Sequence, residues 1–373
     1  MVDARDRALL QRAFHLAERG RGRTSPNPVV GAVVAAIDGT IVGDGYHRQA
    51  GTPHAEVHAL DAAGERARGA VLYCTLEPCS HTGRTGPCVE RIVAAGITRV
   101  VAAATDPNPL VAGGGFAYLR SHGVKVEADV ARPQAARQNA PFFTFMRNGR
   151  PLVLFKAAVS LDGYIAGAPG TPTRISGAEA HRETQRLRAE MDAVAVGAGT
   201  LLSDDPLLTV RDVYRDRPFT RVVFDRRLRT PPSARVFGTR AAGPIVLMTT
   251  ESCMKSNRLA AEALRAAGAQ IEAVEGPSIE LALRRLGTLG ITSLLLEGGA
   301  ALGAAAWDAG MIDRVRLYVA PVTLGAGGVP LLAGRPLMTG ALHDRLNQSG
   351  KHRLRSGRPR RTARRGDHAG HRS

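Results

Sequence analysis

The chain has 373 residues, 44% of them hydrophobic, and a formal net charge of +17; a single core stops growing before that length, so two domains of ordinary size are expected. No stretch reaches 18 uncharged apolar residues, and the opening MVDARDRALL has no signal-peptide apolar region, so a membrane-spanning or secreted protein is not expected and a cytoplasmic one is. The four cysteines, Cys74, Cys79, Cys88 and Cys253, are too few and too clustered for a disulfide framework, which leaves metal binding as the better reading.

Helical periodicity over 3–18 comes first, followed by strand patterns over 29–37 and 40–45 and a helix over 54–63. A strand over 70–75, a helix over 88–95, a strand over 98–103, a helix over 115–122 and a strand over 124–127 continue the alternation. Such a pattern predicts an α/β domain with helices on the faces of a sheet. Residues 132–150 read as one helix ended by Asn148-Gly149-Arg150-Pro151, where Gly and Pro punctuate the chain, and the boundary between a first domain, 1–148, and a second, 149–344, is placed there.

The second domain opens with a strand over 151–159, a helix over 178–190 and strands over 193–197, 220–225 and 244–249. Helices over 258–267 and 278–286, a strand over 293–297, a helix over 301–308 and a strand over 314–320 complete it. No repeat of solenoid period is present. Residues 345–373 hold ten Lys or Arg against the single acid Asp367 and almost nothing apolar. A stretch of that composition buries no core and is expected to be a disordered basic tail, so its charge says little about the folded domains.

His54-Ala55-Glu56 opens a predicted helix, and Pro78-Cys79 precedes Cys88 by nine positions. Hydrolytic deamination needs a Lewis acid held by three protein ligands with its fourth position open, and one imidazole with two thiolates supplies that set for zinc. Glu56, two residues from His54, is placed to move protons without ligating, the division of roles that H-x-E and P-C segments have in zinc deaminases. Taken singly, Cys79 and Cys88 read better as buried small residues and His54 as a capping or core histidine; their combination with Glu56 and Pro78 reverses this and favours metal. His58, one helical turn from His54, is a conceivable fourth ligand but reads better as a core group, and Cys74 as a buried strand residue.

The run His54-Ala55-Glu56-Val57-His58-Ala59-Leu60, with Thr75-Leu76-Glu77-Pro78-Cys79-Ser80-His81-Thr82-Gly83-Arg84-Thr85-Gly86-Pro87-Cys88, closely resembles the pyrimidine deaminase domain of the bifunctional deaminase–reductases of riboflavin biosynthesis. Eight residues separate the two cysteines, where cytidine and tRNA adenosine deaminases usually have two. The segments Ser25-Pro26-Asn27-Pro28-Val29-Val30-Gly31-Ala32 and Asp106-Pro107-Asn108-Pro109 are similar to family motifs that frame the substrate pocket. By this resemblance Asn27, His47, His81, Arg84, Asp106 and Asn108 contact the aminopyrimidine or its ribose phosphate. A carboxylate and amides suit a ring edge, while His81 and Arg84 suit a phosphate dianion. Turn chemistry beside proline would account for Asn27, Asp106 and Asn108 as well.

In the second domain, Lys156-Ala157-Ala158-Val159-Ser160-Leu161-Asp162-Gly163, the run from Gly197 to Arg211, and Leu296-Glu297-Gly298-Gly299-Ala300-Ala301-Leu302 stand in the order of the same family's reductase. No G-x-G-x-x-G follows the first strand, so an ordinary Rossmann reading fails. Glu297-Gly298-Gly299 nevertheless joins a strand to a helix, where bare N–H groups can receive a pyrophosphate; alone it would be no more than a tight connection. The resemblance covers about residues 5–340. It implies a cytidine-deaminase-like three-layer domain followed by a dihydrofolate-reductase-like α/β domain, with NADPH reducing a ribosylamino to a ribitylamino group. It places Ala158, Thr200, Asp204, Gly299, Ala300, Ala301 and Leu302 against NADPH and Arg188, Leu208, Arg211 and Glu297 against the substrate. Arg188 and Arg211 suit a phosphate clamp, though each also reads as a solvated charge.

Three departures stand out. Pro172-Thr173-Arg174-Ile175-Ser176 lacks the family's Ser and Trp; Arg226 replaces a small polar residue after Asp225, where it could pair with the 2′-phosphate of the cofactor; and beyond about Leu342 the basic tail replaces the closing strands. The loss of those strands would uncover apolar surface and destabilise the reductase half, and a reading-frame change near residue 344 would explain it. The leading expectation is a bifunctional enzyme that deaminates 2,5-diamino-6-ribosylamino-4(3H)-pyrimidinone 5′-phosphate and reduces the product, with a small-molecule substrate, no membrane partner and a homo-oligomeric state. A deaminase with an inactive reductase-like half is the nearer alternative. A nucleic-acid-editing deaminase with the tail as an electrostatic arm is the more distant one, since only 4% of residues are aromatic.

Overall fold

The computed structural model describes residues 2–80, 86–109, 111–170 and 173–333. Helix α1 (Ala4–Glu18) begins at Asp3, whose side chain accepts from the N–H of Asp6 while Asp6 accepts from the N–H of Asp3. That reciprocal cap satisfies two otherwise orphaned donors. Strands β1 (Gly31–Ala35) and β2 (Ile41–Tyr46), helix α2 (Ala55–Ala63), strand β3 (Val71–Cys74), helix α3 (Cys88–Ala94), strand β4 (Arg99–Ala102), helix α4 (Gly114–Ser121) and strand β5 (Lys125–Glu127) follow. They form a five-stranded sheet of order β2-β1-β3-β4-β5, with β1 antiparallel to β2 and β3 and the remaining pairs parallel.

The period of two along each strand produces three layers. Val33, Ala35, Val71, Tyr73 and Val101 face α1, whereas Ala32, Val34, Leu72, Cys74, Val100 and Ala102 face α2, α3 and α4. Glycines of β2 let α2 lie unusually close. A Cβ on Gly43 would stand 2.3 Å from the Ala59 carbonyl oxygen, and one on Gly45 would stand 2.5 Å from the His58 Cβ. The predicted helix over 132–150 is two helices, α5 (Arg132–Gln138) and α6 (Ala140–Asn148), because Asn139 leaves helical geometry and Pro141 has no N–H to continue the ladder. Asn139 instead bonds both backbone groups of Val29. Gly149, at φ 63°, ends α6.

Strand β6 (Leu152–Val159) opens the second sheet, and β7 (Tyr164–Ala166), α7 (Ala178–Glu190), β8 (Ala193–Gly197), α8 (Ala198–Asp204), β9 (Thr220–Phe224) and β10 (Ile245–Thr250) follow. Then come α9 (Glu251–Ser256), α10 (Arg258–Ala266), β11 (Ala269–Val274), α11 (Ile279–Thr288), β12 (Ser293–Glu297), α12 (Ala300–Asp308), β13 (Arg314–Val319) and β14 (Val329–Pro330). Seven strands form a parallel sheet of order β11-β10-β9-β8-β12-β6-β13, and β14 pairs with β7 outside it. The chain runs outward from β8 toward β11 but crosses β6 after β12. A crevice therefore opens at the carboxyl ends of β8 and β12, the switch point where doubly wound sheets bind ligands. Both faces are covered: α11 and α12 pack on Val153, Phe155, Leu294 and Leu296, while α8 and α10 pack on Val194, Val196 and Leu247.

Strands β7, β11 and β14 and helices α8 and α9 were not expected; they are short, and none shows a periodicity of its own. Residues 345–373 lie outside the described residues. Among the described residues no helix is long and apolar enough to cross a membrane.

Candidate functional sites

His54 occupies the N-cap of α2, a position that usually carries Ser, Thr, Asp or Asn. Its side chain makes no capping bond. The imidazole points instead to two sulfurs: Nδ1 stands 3.3 Å from the Cys88 Sγ and 3.5 Å from the Cys79 Sγ. Tetrahedral zinc with ordinary Zn–N and Zn–S bonds separates such ligand atoms by about 3.6 Å, so the donor set fits zinc without rearrangement. Among the described residues these three form the one group of His, Cys or carboxylate side chains with metal-holding geometry; His58 lies outside it.

The first N–H of α3, that of Cys88, donates to the Cys79 Sγ at 3.4 Å. A helix N-terminus favours a thiolate. The hydrogen bond from the Cys88 thiol, and then His54, draw the Cys79 thiol down to about 4, while Cys88 is pushed up. Cys74 is fully buried on β3, and burial raises its thiol as expected of an inert core cysteine.

Glu56 is 3% exposed. Burial pushes its carboxyl up to about 7, although the His54 imidazolium opposes this. Among the described residues its Oε2 has no hydrogen-bond partner. Glu56, His54 and Cys79 line a cavity of about 420 Å³ that also receives Asn27, His47, Asp106 and Asn108. His47 is buried, its Nδ1 stands 3.3 Å from the Pro53 carbonyl, and its Nε2 has no partner among the described residues. Burial lowers its pKa and keeps the ring neutral. His81 and Arg84 lie outside the described residues.

Glu77 escaped the sequence reading as a site residue. Its carboxylate accepts from the N–H groups of Asp106, Gly113, Gly115 and Phe116 at 2.9–3.3 Å. It thereby caps α4 and ties the Asp106 loop to the segment that carries Cys79. A Cβ on Gly115 would stand 2.0 Å from the Pro78 carbonyl oxygen. Its place between Leu76 and Pro78 was the available signal. Phe142 and Met146 of α6, also unforeseen, supply apolar wall.

The crevice of the second sheet holds a cavity of about 720 Å³. Ala158, Thr200, Asp204 and Gly299 to Leu302 all line it, as do Arg188, Leu208 and Glu297. Arg211 does not: it is exposed, and its backbone N–H bonds the Gln185 side chain. Arg188 is not a free clamp either. Its Nε and Nη2 donate to Glu297 at 2.6 and 3.1 Å and its Nη1 to the Thr209 carbonyl at 2.8 Å. Lys156, unforeseen as a site residue, stands 3.6 Å from the same carboxylate and lines the cavity. Burial works to raise the Glu297 carboxyl, but Arg188 and Lys156 outweigh it and hold it below the usual range.

Gly299 starts α12 at φ 79°, and a Cβ there would stand 3.1 Å from the Thr200 Oγ1. Of the departing segment, Thr173, Ile175 and Ser176 line the cavity, Arg174 is exposed and Pro172 lies outside the described residues. An adjoining cavity of about 250 Å³ shares Gly197, Gly199, Ala301 and Leu302 and is lined by Arg226, Arg227 and Arg229. Thr249, also on its wall, is buried, and its hydroxyl has no partner among the described residues.

Comparison with known proteins finds a match for each half of the chain. Residues 3–104 match the family model of the cytidine and deoxycytidylate deaminase zinc-binding region, and residues 151–352 match that of the RibD C-terminal domain. The chain is 41% identical to the riboflavin biosynthesis protein RibD of Aquifex aeolicus over 327 residues, 88% of this chain and 90% of that protein. Against the RibD of Escherichia coli K12 it is 40% identical over 334 residues, 86% and 89% of the two chains. The fold superposes on Acinetobacter baumannii RibD with a TM-score of 0.80 at 37% identity, covering 90% of this chain and 92% of that one. A diaminohydroxyphosphoribosylaminopyrimidine deaminase/5-amino-6-(5-phosphoribosylamino)uracil reductase from Thermotoga maritima gives 0.77 at 33% identity, covering 95% and 93%.

Proposed function

We propose, from the premise that this chain belongs to the RibD family of bifunctional riboflavin-biosynthesis enzymes, a division of the chemistry among its residues. The chain is a deaminase in its first half and a reductase in its second. We take residues 1–148 and 149–344 as the two domains. The deaminase substrate is 2,5-diamino-6-ribosylamino-4(3H)-pyrimidinone 5′-phosphate, and the observation that carries this reading is the Glu56 carboxyl, whose Oε2 has no partner among the described residues, beside the His54–Cys79–Cys88 cluster.

Zinc, when bound by His54, Cys79 and Cys88, supplies a Lewis acid that lowers the pKa of water to about 7. Glu56 takes the proton that the attacking water gives up and returns it to the amino nitrogen as ammonia leaves. Asn27, Asp106 and Asn108 read the ring and ribose. Neutral His47 offers its Nε2, and His81 and Arg84 meet the phosphate. Removal of zinc by chelation is expected to abolish ammonia release while leaving oxidation of NADPH by the deaminated intermediate within about twofold. A coupled assay of both activities, with elemental analysis of the same sample, checks this; ammonia release without zinc would overturn the deaminase mechanism.

NADPH, when bound, would supply a hydride to C1′ of the already opened ribosyl group, which with a proton on the nitrogen gives the ribityl chain. Gly299 to Leu302, at the start of α12, would hold the cofactor's pyrophosphate, which a helix N-terminus favours. Thr200, Asp204 and Ala158 complete the cofactor cleft, while Glu297, held by Arg188 and Lys156, faces the sugar with Leu208. Arg226 takes the 2′-phosphate at the adjoining cavity. Arg226→Ser is therefore expected to weaken NADPH binding by about tenfold, the worth of a charge-assisted hydrogen bond, and to leave NADH binding unchanged. Titration of both cofactors and of 2′,5′-ADP checks it, and equal losses for NADH would exclude that role. Thiolate ligands suit a reducing compartment, so we place the enzyme in the cytoplasm, and we expect a homo-oligomer, which sedimentation would test.

A further inference from the structure

We infer that the reductase half positions the pyrimidine-binding loop of the deaminase, through a hydrogen-bonded chain from the buried Asp192 and Thr292 to Ser25. The inference rests on the reading of Asn27 as a substrate contact. Asn27 lines the deaminase cavity on a loop, Thr24 to Pro28, that belongs to no helix or strand. Within that loop the N–H of Asn27 bonds the Thr24 carbonyl at 2.8 Å. At its far end Val29 is fixed by Asn139. Between these two points stands Ser25, whose Oγ lies 3.1 Å from the Thr292 Oγ1, 267 residues along the chain.

The direction of that bond follows from proton counting. Asp192 Oδ2 accepts from the Thr292 N–H at 2.9 Å, the Thr292 hydroxyl at 2.7 Å and the Ser293 N–H at 3.0 Å, and Oδ1 accepts from Arg217 at 2.6 Å. A carboxylate only accepts, and a hydroxyl has one proton. Thr292 has given its proton to Asp192, so the Ser25 hydroxyl is the donor at its end of the chain, to the Thr292 oxygen or to the Asp192 carboxylate that it also helps to keep ionised. Thr292 and Asp192 are buried, at 3% and 8% exposure, so water does not readily replace the bond between them, while the bond to Ser25 is half-buried. Burial works to raise the Asp192 carboxyl, but Arg217 and Thr292 keep it below its ordinary range and thus ionised. The ion pair of Arg23 with Asp216 at 2.6 Å is a second tie on the same stretch, half-exposed and correspondingly weaker.

The anchor sits away from the reductase chemistry. Thr292 immediately precedes β12, whose other end is Glu297, and a strand of five residues spans about 16 Å. Substitution at Thr292 can therefore loosen the deaminase loop and leave the reductase crevice as it is. A loop freed from this tie spends less time in the binding geometry, which weakens substrate binding without changing the reacting groups.

The test uses the full-length, zinc-loaded enzyme, with kcat and KM of ammonia release, zinc content and NADPH affinity measured for Ser25→Ala, Thr292→Val, Thr292→Ser and Asn27→Ala. Thr292→Val and Ser25→Ala are each expected to raise the deaminase KM five- to tenfold with kcat, zinc and NADPH affinity within twofold. Their combination is expected to be no worse than either alone, and Thr292→Ser to stay within twofold of the parent. Ser25→Ala removes a single hydroxyl and gives the answer even if Thr292→Val folds poorly. Unchanged KM in Ser25→Ala, additive effects in the pair, or parallel losses in both activities would overturn the positioning role. An unchanged KM in Asn27→Ala overturns the substrate reading of that loop, and this inference with it; a raised KM there alone overturns only the inference.

Discussion

Glu56→Gln is expected to lose ammonia release by at least about a thousand-fold while holding one zinc per chain and reducing deaminated intermediate at the parent rate. Proton transfer by a placed side chain contributes about 10²–10⁴-fold. Glu56 has the attributes the role requires: it is buried, its Oε2 has no partner among the described residues, and burial has pushed its carboxyl up to about 7. A group poised near neutrality both takes and returns a proton readily. Glutamine has the same size and can make hydrogen bonds, but it lacks the carboxylate that accepts the proton. Stoichiometric ammonia release measured beside zinc content separates the cases. Loss of activity together with zinc would make Glu56 a scaffold of the metal site, and retained ammonia release would remove it from the chemistry.

The zinc ligands were legible because the metal demands particular atoms in a fixed order along the chain, and His54, Cys79 and Cys88 carry those atoms in their own side chains. Asn27, His47, Asp106 and Asn108 came from motif resemblance, and the fold gathers all four in one cavity. Where the sequence reading fell short, the cause is tertiary. Glu77 acts through four backbone N–H groups, three of them at least 36 residues away, and backbone donors leave no sequence signature. Arg188 looked like a clamp for an incoming phosphate because its partner, Glu297, is 109 residues distant. The long helix over 132–150 failed at Asn139, whose side chain prefers the Val29 backbone to helix continuation. Strand β11 went unseen because exposed Gln270 and half-buried neighbours at a sheet edge show neither clean alternation nor an apolar run.

The largest effect on stability is expected at Glu297. Among the described residues, Glu297→Ala leaves the Arg188 guanidinium with only the Thr209 carbonyl and strands the Lys156 ammonium beside it, both with side chains no more than 16% exposed. Breaking a buried ion pair from one side costs about 3–5 kcal/mol, because the surviving charge stays desolvated without compensation. Replacing both partners of a pair by apolar residues of similar volume is often neutral, so Arg188→Met combined with Glu297→Leu is expected to recover the share of the lost stability due to the stranded Arg188 charge, though not the share due to Lys156, and none of the reduction. Trp307 makes this measurable in one half of the molecule. It is the only tryptophan in the chain and packs on the core of the second sheet, so its fluorescence during urea unfolding follows that half. Glu297→Ala should lower the midpoint of this transition while ammonia release in the absence of urea stays at the parent rate. A shift worth less than about 1 kcal/mol, or a double variant as unstable as the single one, would mean that the carboxylate is solvated and does not tie Arg188 and Lys156 into the crevice.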